Sequence, residues 1–240
     1  MTHELGALYG LGVGPGDPDL LTLKAVKILS EVDVIFTASA SSSERSLALT
    51  IASPHLKADA ETRDLDFPMT HDPQKLQESW RQNAQAIVAV LRKGQSAAFL
   101  TLGDPLTYST YAYLLPFVQE FLPRAKIITV PGVTSYQLAA AKLNRPLCLN
   151  RESLTVVSGS GGEEKLATLV DASDNLVIMK SRRDRSEIAG LLRAKNLASR
   201  TAVCSMLSLP GETIIESLPD ELPDALSYFT LFLVNKRLAP

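Results

Sequence analysis

The chain has 240 residues, 45% hydrophobic and 21% charged, with a formal net charge of −2. That composition is ordinary for a globular enzyme of one large or two small domains, and it lacks the basic excess of a nucleic-acid binder. No apolar run reaches the roughly 18 residues of a membrane span, and the opening Met-Thr-His-Glu lacks the basic-then-apolar form of a signal peptide. Two cysteines make no disulfide framework. Cys148 and Cys204 both lie among apolar neighbours and are expected to be buried thiols in a reducing cytoplasm. His3, His55 and His71 show no metal-ligand spacing, so no metal is expected.

Residues 7–12 form an apolar run that enters the turn Gly12-Val13-Gly14-Pro15-Gly16-Asp17. A strand, a glycine-rich turn and a helix start are how an α/β fold builds a small-molecule site. This turn departs from the dinucleotide fingerprint: the third glycine is replaced by Asp17, and Pro15 removes a backbone N–H. A phosphate is therefore not its expected ligand. Further strands are predicted at 32–37, 97–102 and 126–130, with a weaker edge strand at 62–65. Helices are predicted at 20–31, 44–53, 73–93, 110–121 and 135–143. Alternating strands and helices imply a parallel sheet covered on both faces.

After residue 150 the pattern changes. Strands at 154–157, 176–179, 201–206, 213–217 and 229–234 are separated by fewer helices, at 164–170 and 185–194. The short connections among the last three strands predict antiparallel pairing. The reading is a two-domain α/β protein, residues 1–148 with a parallel sheet and 149–240 with a mixed sheet.

Three predicted strand ends carry similar turns: Pro15 and its neighbours, then Leu102-Gly103-Asp104, then Pro131-Gly132-Val133-Thr134-Ser135. The carboxyl ends of parallel strands are where such sheets bind ligands. Gly103 permits close backbone approach. Asp104 either accepts from a ligand hydroxyl or amine or caps the next helix. Thr134 and Ser135 are equally readable as helix caps.

On these motifs the chain resembles the tetrapyrrole (precorrin) methylases. Gly12 to Asp17 with Leu20-Leu21-Thr22-Leu23-Lys24-Ala25 looks like that family's opening. Gly103-Asp104-Pro105, Val130-Pro131-Gly132-Val133-Thr134-Ser135 and Leu176-Val177-Ile178-Met179 match later motifs in order. Phe67-Pro68-Met69-Thr70, Leu106-Thr107-Tyr108-Ser109-Thr110 and Tyr228-Phe229-Thr230-Leu231 resemble the branch that methylates C20 of precorrin-2 or cobalt-factor II. The uroporphyrinogen-methylating branch tends to carry an acid just after the second strand, where this chain has Phe36-Thr37-Ala38-Ser39.

The resemblance implies the two-domain class III fold with S-adenosylmethionine as methyl donor between the domains. It implies donor contacts at Pro15, Leu102, Gly103, Asp104, Thr107, Tyr108, Ser109, Thr110, Thr134 and Ser135, and in the second domain at Met179, Leu207 and Thr230. It also implies a homodimer, for which the apolar Leu114, Leu115, Phe117 and Val118 offer a surface. No catalytic base is assigned. Tyr108 and Asp104 are both possible, with Tyr108 the candidate carried forward, and a mechanism by positioning alone is preferred. The substrate would be a small polycarboxylate tetrapyrrole, with Arg45, Arg145, Lys180, Arg182 and Arg183 as candidate anchors. Ser158-Gly159-Ser160-Gly161-Gly162 is a candidate backbone cradle for a carboxylate, and residues 39–45 a candidate lid. The alternatives are another enzyme of the family acting on a different precorrin or on a macromolecule, since the family fold also serves diphthine synthesis and ribosomal RNA methylation, and a non-catalytic carrier of the tetrapyrrole or of S-adenosylmethionine.

Overall fold

A computed structural model describes residues 4–39, 46–181 and 184–237. They group into two compact units, Met1–Thr134 and Ser135–Pro240. The segment from 135 to 148, expected in the first domain, groups with the second.

The first unit is built on five parallel strands, β1 (Ala7–Gly12), β2 (Val34–Ser39), β3 (Glu61–Asp66), β4 (Ala97–Thr101) and β5 (Lys126–Val130), in the order β3-β2-β4-β1-β5. The helices are α1 (Leu23–Leu29), α2 (Leu47–Ala52), α3 (Pro73–Leu91) and α4 (Tyr111–Phe121). Two apolar clusters form, one on each face of the sheet: Phe36 and Phe99 pack with α3 and α4, and Ile35 and Leu100 with α1 and α2. Strands buried on both faces read as continuous apolar runs, which is why their limits were visible. β3 is the charged edge strand, as weak a signal as expected.

The helix expected over 20–31 is divided. Asp17 caps a single 3-10 turn, Pro18–Leu20, Leu21 is extended, and the Thr22 hydroxyl accepts from Ala25 N to start α1 afresh. The apolar residues of α4 are not surplus. Leu114 and Val118 are buried, and Leu115 and Phe117 pack against the same cluster. Only Leu115 and Phe117 of the four keep part of their surface exposed.

The second unit carries α5 (Ser135–Leu143), β6 (Leu154–Ser158), α6 (Glu163–Ala172), β7 (Asn175–Met179), α7 (Arg185–Ala194), β8 (Thr201–Ser205), β9 (Thr213–Ile215) and β10 (Thr230–Asn235). Its sheet runs β6-β7-β10-β8-β9. β6 and β7 are parallel, and β10 lies antiparallel to both β7 and β8. The mixed sheet is as expected. Cys204 is buried and its thiol is pushed up to about 11 by desolvation, whereas Cys148 is exposed, contrary to the expectation. Its neighbours Leu147, Leu149 and Asn150 belong to a connecting segment, where apolar residues need not mark a core.

Candidate functional site

Because β1 lies between β4 and β5, the carboxyl ends of these three strands are adjacent. The turns that leave them are stitched together through backbone. Val13 N donates to Thr101 O at 2.9 Å and Gly103 N to Gly14 O at 2.7 Å. A Cβ at Gly12 would lie 2.5 Å from Gly103 O, and one at Gly132 only 2.1 Å from the same oxygen. Neither position admits a side chain. Gly103 is different: its φ is +72°, and a Cβ there would meet nothing nearer than Val133 O at 3.9 Å. Open space beside a left-handed glycine is a cradle into which a ligand can bring its own atoms. The structure thus joins the three turns that the sequence singled out.

Asp104 holds that rim. One carboxylate oxygen accepts from Leu106 N at 2.9 Å and from the Thr107 hydroxyl at 3.1 Å, and the other from Gly132 N at 3.2 Å. It is not the cap of α4, which begins at Tyr111. It fastens the β4 turn to the β5 turn and, with about four acceptor sites per carboxylate, retains capacity for one more donor. Ser109 is buried: its hydroxyl accepts from Tyr111 N at 3.0 Å and meets the Thr101 hydroxyl at 3.4 Å. Tyr111 is fully buried with its hydroxyl on Thr129, and it fills the space that a side chain at Gly10 would need. Two of the hydroxyls in this segment therefore serve the unit's own packing. Tyr108 is 45% exposed, with a left-handed φ of +51°. Thr110 precedes α4 without a side-chain cap bond. Thr134 is buried, and Ser135 opens α5 in the second unit.

In the second unit, β6, β7 and β8 all end on the same side of the sheet. Met179 closes β7 and is partly buried. Leu207 and Thr230 are only 5% and 2% exposed, and the Thr230 hydroxyl donates within the unit, to Ser205 Oγ at 2.9 Å or Ser227 O at 2.7 Å. Lys180, Met206 and Ser208, directly after β7 and β8, all have left-handed backbones, with φ of 54°, 53° and 56°. Each such residue costs about 1 kcal/mol or more relative to glycine. Met206 N donates to Phe229 O at 3.2 Å. Ser208 N donates to the Glu212 carboxylate, which also pairs with Lys142 at 2.8 Å. Those two contacts hold Glu212 below the usual carboxylate range. Met206, Ser208 and Glu212 were not singled out from the sequence, where nothing marks a left-handed Met or Ser.

The candidate anchors fare differently. Arg145 is committed to Glu216, donating to its backbone oxygen at 3.0 Å and pairing with its carboxylate at 3.3 Å. Arg45, Arg182 and Arg183, and residues 40–45 of the candidate lid, lie outside the described residues. The glycine-rich turn after β6 does not suit a carboxylate. It borders a cavity of about 160 Å³ that Glu163, Asp184 and Glu187 also line, and three acids there repel an anion. Among the described residues no group of three or more His, Cys, Asp or Glu is arranged to hold a metal ion, and no helix is long and apolar enough to cross a membrane.

The chain is similar to known proteins over nearly its whole length. It is 35% identical over 237 residues to the cobalt-precorrin-2 C(20)-methyltransferase of Salmonella typhimurium, covering 97% of each chain. Its fold matches the solved structure of a cobalamin biosynthetic enzyme, cobalt precorrin-4 methyltransferase, with a TM-score of 0.76, 22% identity, and coverage of 98% of this chain and 96% of the other. It also matches the uroporphyrin-III C-methyl transferase of Thermus thermophilus complexed with S-adenyl homocysteine, with a TM-score of 0.67, 24% identity, and coverage of 96% and 98%. Residues 7–223 match the family model described as Tetrapyrrole (Corrin/Porphyrin) Methylases. With the stitched glycine turns of its first sheet and a match over so much of its length, this chain belongs to the tetrapyrrole methylases.

Proposed function

We propose that this protein transfers the methyl group of S-adenosylmethionine to C20 of precorrin-2, cobalt-bound or metal-free, as a step of cobalamin biosynthesis. The observation that carries the methyl-transfer reading is the first unit's rim, an open left-handed Gly103 fixed in place by the Asp104 clamp. The choice of C20 rests on similarity to the Salmonella enzyme, whose name specifies cobalt-precorrin-2. Phe67-Pro68-Met69-Thr70 and Tyr108-Ser109-Thr110 favour it over a macromolecular substrate.

Pro15, Leu102, Gly103, Asp104, Thr107, Tyr108, Thr110 and Thr134 would hold the donor, with Ser109 placing its neighbours. Ser135, Met179, Leu207 and Thr230 belong to the same assignment. Asp104 keeps one acceptor site for a hydroxyl or amine. When bound, the donor supplies an electrophilic methyl carried on a sulfonium. The residues around it need to hold carbon and methyl in line rather than supply a strong base. Tyr108 is the only side chain we keep as a candidate proton acceptor. The reading includes a cytoplasmic homodimer, which sedimentation at micromolar concentration tests.

Incubation with labelled S-adenosylmethionine and each of the two substrates tests the reaction. Transfer of one methyl, placed at C20 by NMR, is the expected result, and the better substrate decides the cobalt question. Intact binding of S-adenosylhomocysteine without transfer to either substrate, or methylation at another carbon, would sink the reading.

A further inference from the structure

Five large apolar or aromatic side chains of the first unit are exposed among the described residues: Leu23, Met69, Leu106, Tyr108 and Tyr113. Exposed apolar residues scattered singly are ordinary. These are not scattered. All five lie on turns or helix starts that follow the carboxyl ends of β1, β3 and β4, and none lies at the amino ends of the strands. Tyr113 has a partner in Trp80, on which it stacks at 4.5 Å. Leu23 opens α1, which packs on the face of the sheet opposite α3 and α4. Tyr108 already stands in the donor site proposed above. Met69 and Leu106 remain, 85% and 59% exposed, and neither belongs to either apolar cluster.

The turns that carry them are held in place. Phe67 and Tyr111 both pack on Phe99, with ring centroids 6.2 Å and 5.8 Å away, so the turns after β3 and β4 are anchored on one face of the sheet. Phe67 N donates to Ser39 O and Thr70 N to Pro68 O across Met69, both at 2.9 Å, and Asp72 N donates to the Thr70 hydroxyl at 3.1 Å. Leu106 N donates to Asp104, the residue that clamps the rim. β3 and β4 are two strand spacings apart, about 10 Å, comparable with the breadth of one flat tetrapyrrole ring.

A methyl acceptor must bring its carbon to within about 3–3.5 Å of the methyl group. It therefore has to lie beside the rim formed by Gly103 and Asp104. A tetrapyrrole has a broad apolar face and carries its carboxylates at the edge. An unbranched Met adapts to such a face, and covering exposed apolar side chains with the ring is favourable.

We propose that Met69 and Leu106 form an apolar shelf on which one face of the tetrapyrrole lies, and that they take no part in holding the methyl donor. This rests on the reaction proposed above.

The test uses the full chain as wild type, Met69→Ser, Leu106→Ser, the double serine variant, and the conservative Met69→Leu and Leu106→Met. The quantities read are KM for the better of the two substrates, kcat, calorimetric affinity for S-adenosylhomocysteine, melting temperature, and sedimentation at micromolar concentration. KM should rise about fivefold in each serine variant and about 25-fold in the double one. The conservative variants should stay within about twofold of wild type, since the apolar surface remains. The kcat should change by less than about twofold throughout, because a surface that binds ground and transition states alike acts on KM alone. Affinity for S-adenosylhomocysteine and sedimentation should not change. Nor should the melting temperature, since both side chains are exposed in the free protein. An active wild type with an unchanged KM in the double variant would overturn this inference and leave the reaction standing. A parallel loss of S-adenosylhomocysteine affinity would overturn it in favour of a donor contact, and altered sedimentation in favour of a contact between copies of the chain. A wild type inactive on both substrates would remove the reaction and this inference together.

Discussion

The two sheets present their carboxyl ends in opposite ways. In the first unit the rim is made of backbone: Gly12 and Gly132 pack against Gly103 O so tightly that no Cβ fits. In the second unit the corresponding positions carry side chains, Lys180, Met206 and Ser208, on backbones that glycine would adopt more easily. A backbone rim offers the same N–H and C=O groups whatever the sequence, and it is fixed by close packing. A side-chain rim gives up stability and gains chemistry that depends on the residue.

The largest expected effect breaks the first rim. Gly132→Ala should cost about 3 kcal/mol in urea unfolding, the upper range for overpacking. Gly103→Ala should cost less stability, yet it should weaken S-adenosylhomocysteine binding more than its stability loss explains. If the two mutants rank the same way in both measurements, the open cradle at Gly103 is wrong. Next comes Asp104→Ala, which removes a clamp with three donors. Donor affinity should fall about tenfold, or 1.4 kcal/mol, by calorimetry. Unchanged affinity would mean that glycine packing alone sets the rim.

On the second rim, Ser208→Gly should raise stability by up to about 1 kcal/mol in the same unfolding assay, because it removes left-handed strain. A loss would show that the serine side chain earns its place. The smallest effect is one of pH. The folded carboxyl of Glu212 titrates below its ordinary value, so its contribution is full above the unfolded pKa and fades as pH falls through the folded one. Glu212→Gln should therefore cost about 0.5 kcal/mol near neutrality, as for a partly exposed ion pair, and almost nothing in acid. An equal cost at both pH values would assign the effect to packing.

Much of the first unit was legible because its strands are buried on both faces and bounded by Gly and Pro. The second sheet's mixed character followed from short connections. What escaped was non-local or unmarked. The partner of α4 is α3, where Trp80 stacks on Tyr113 at 4.5 Å and Arg81 lies over Phe117 and Phe121. A helix read alone therefore looked more apolar than one face required. The site's three glycine turns were visible from their spacing. That Asp104 ties two of them together was not, since the donor to its carboxylate, Gly132 N, lies 28 residues away. No local pattern announces a left-handed Lys, Met or Ser.

The position of β10 between β7 and β8 also has a consequence for biosynthesis. A chain grown only as far as β9 has every other strand of the second sheet but a gap at its centre, with two unpaired edges facing each other. The first unit needs nothing beyond residue 134 to complete its sheet, so it can fold while the ribosome is still working. The second must wait for residue 235. Until then its apolar strands need protection from pairing with other chains.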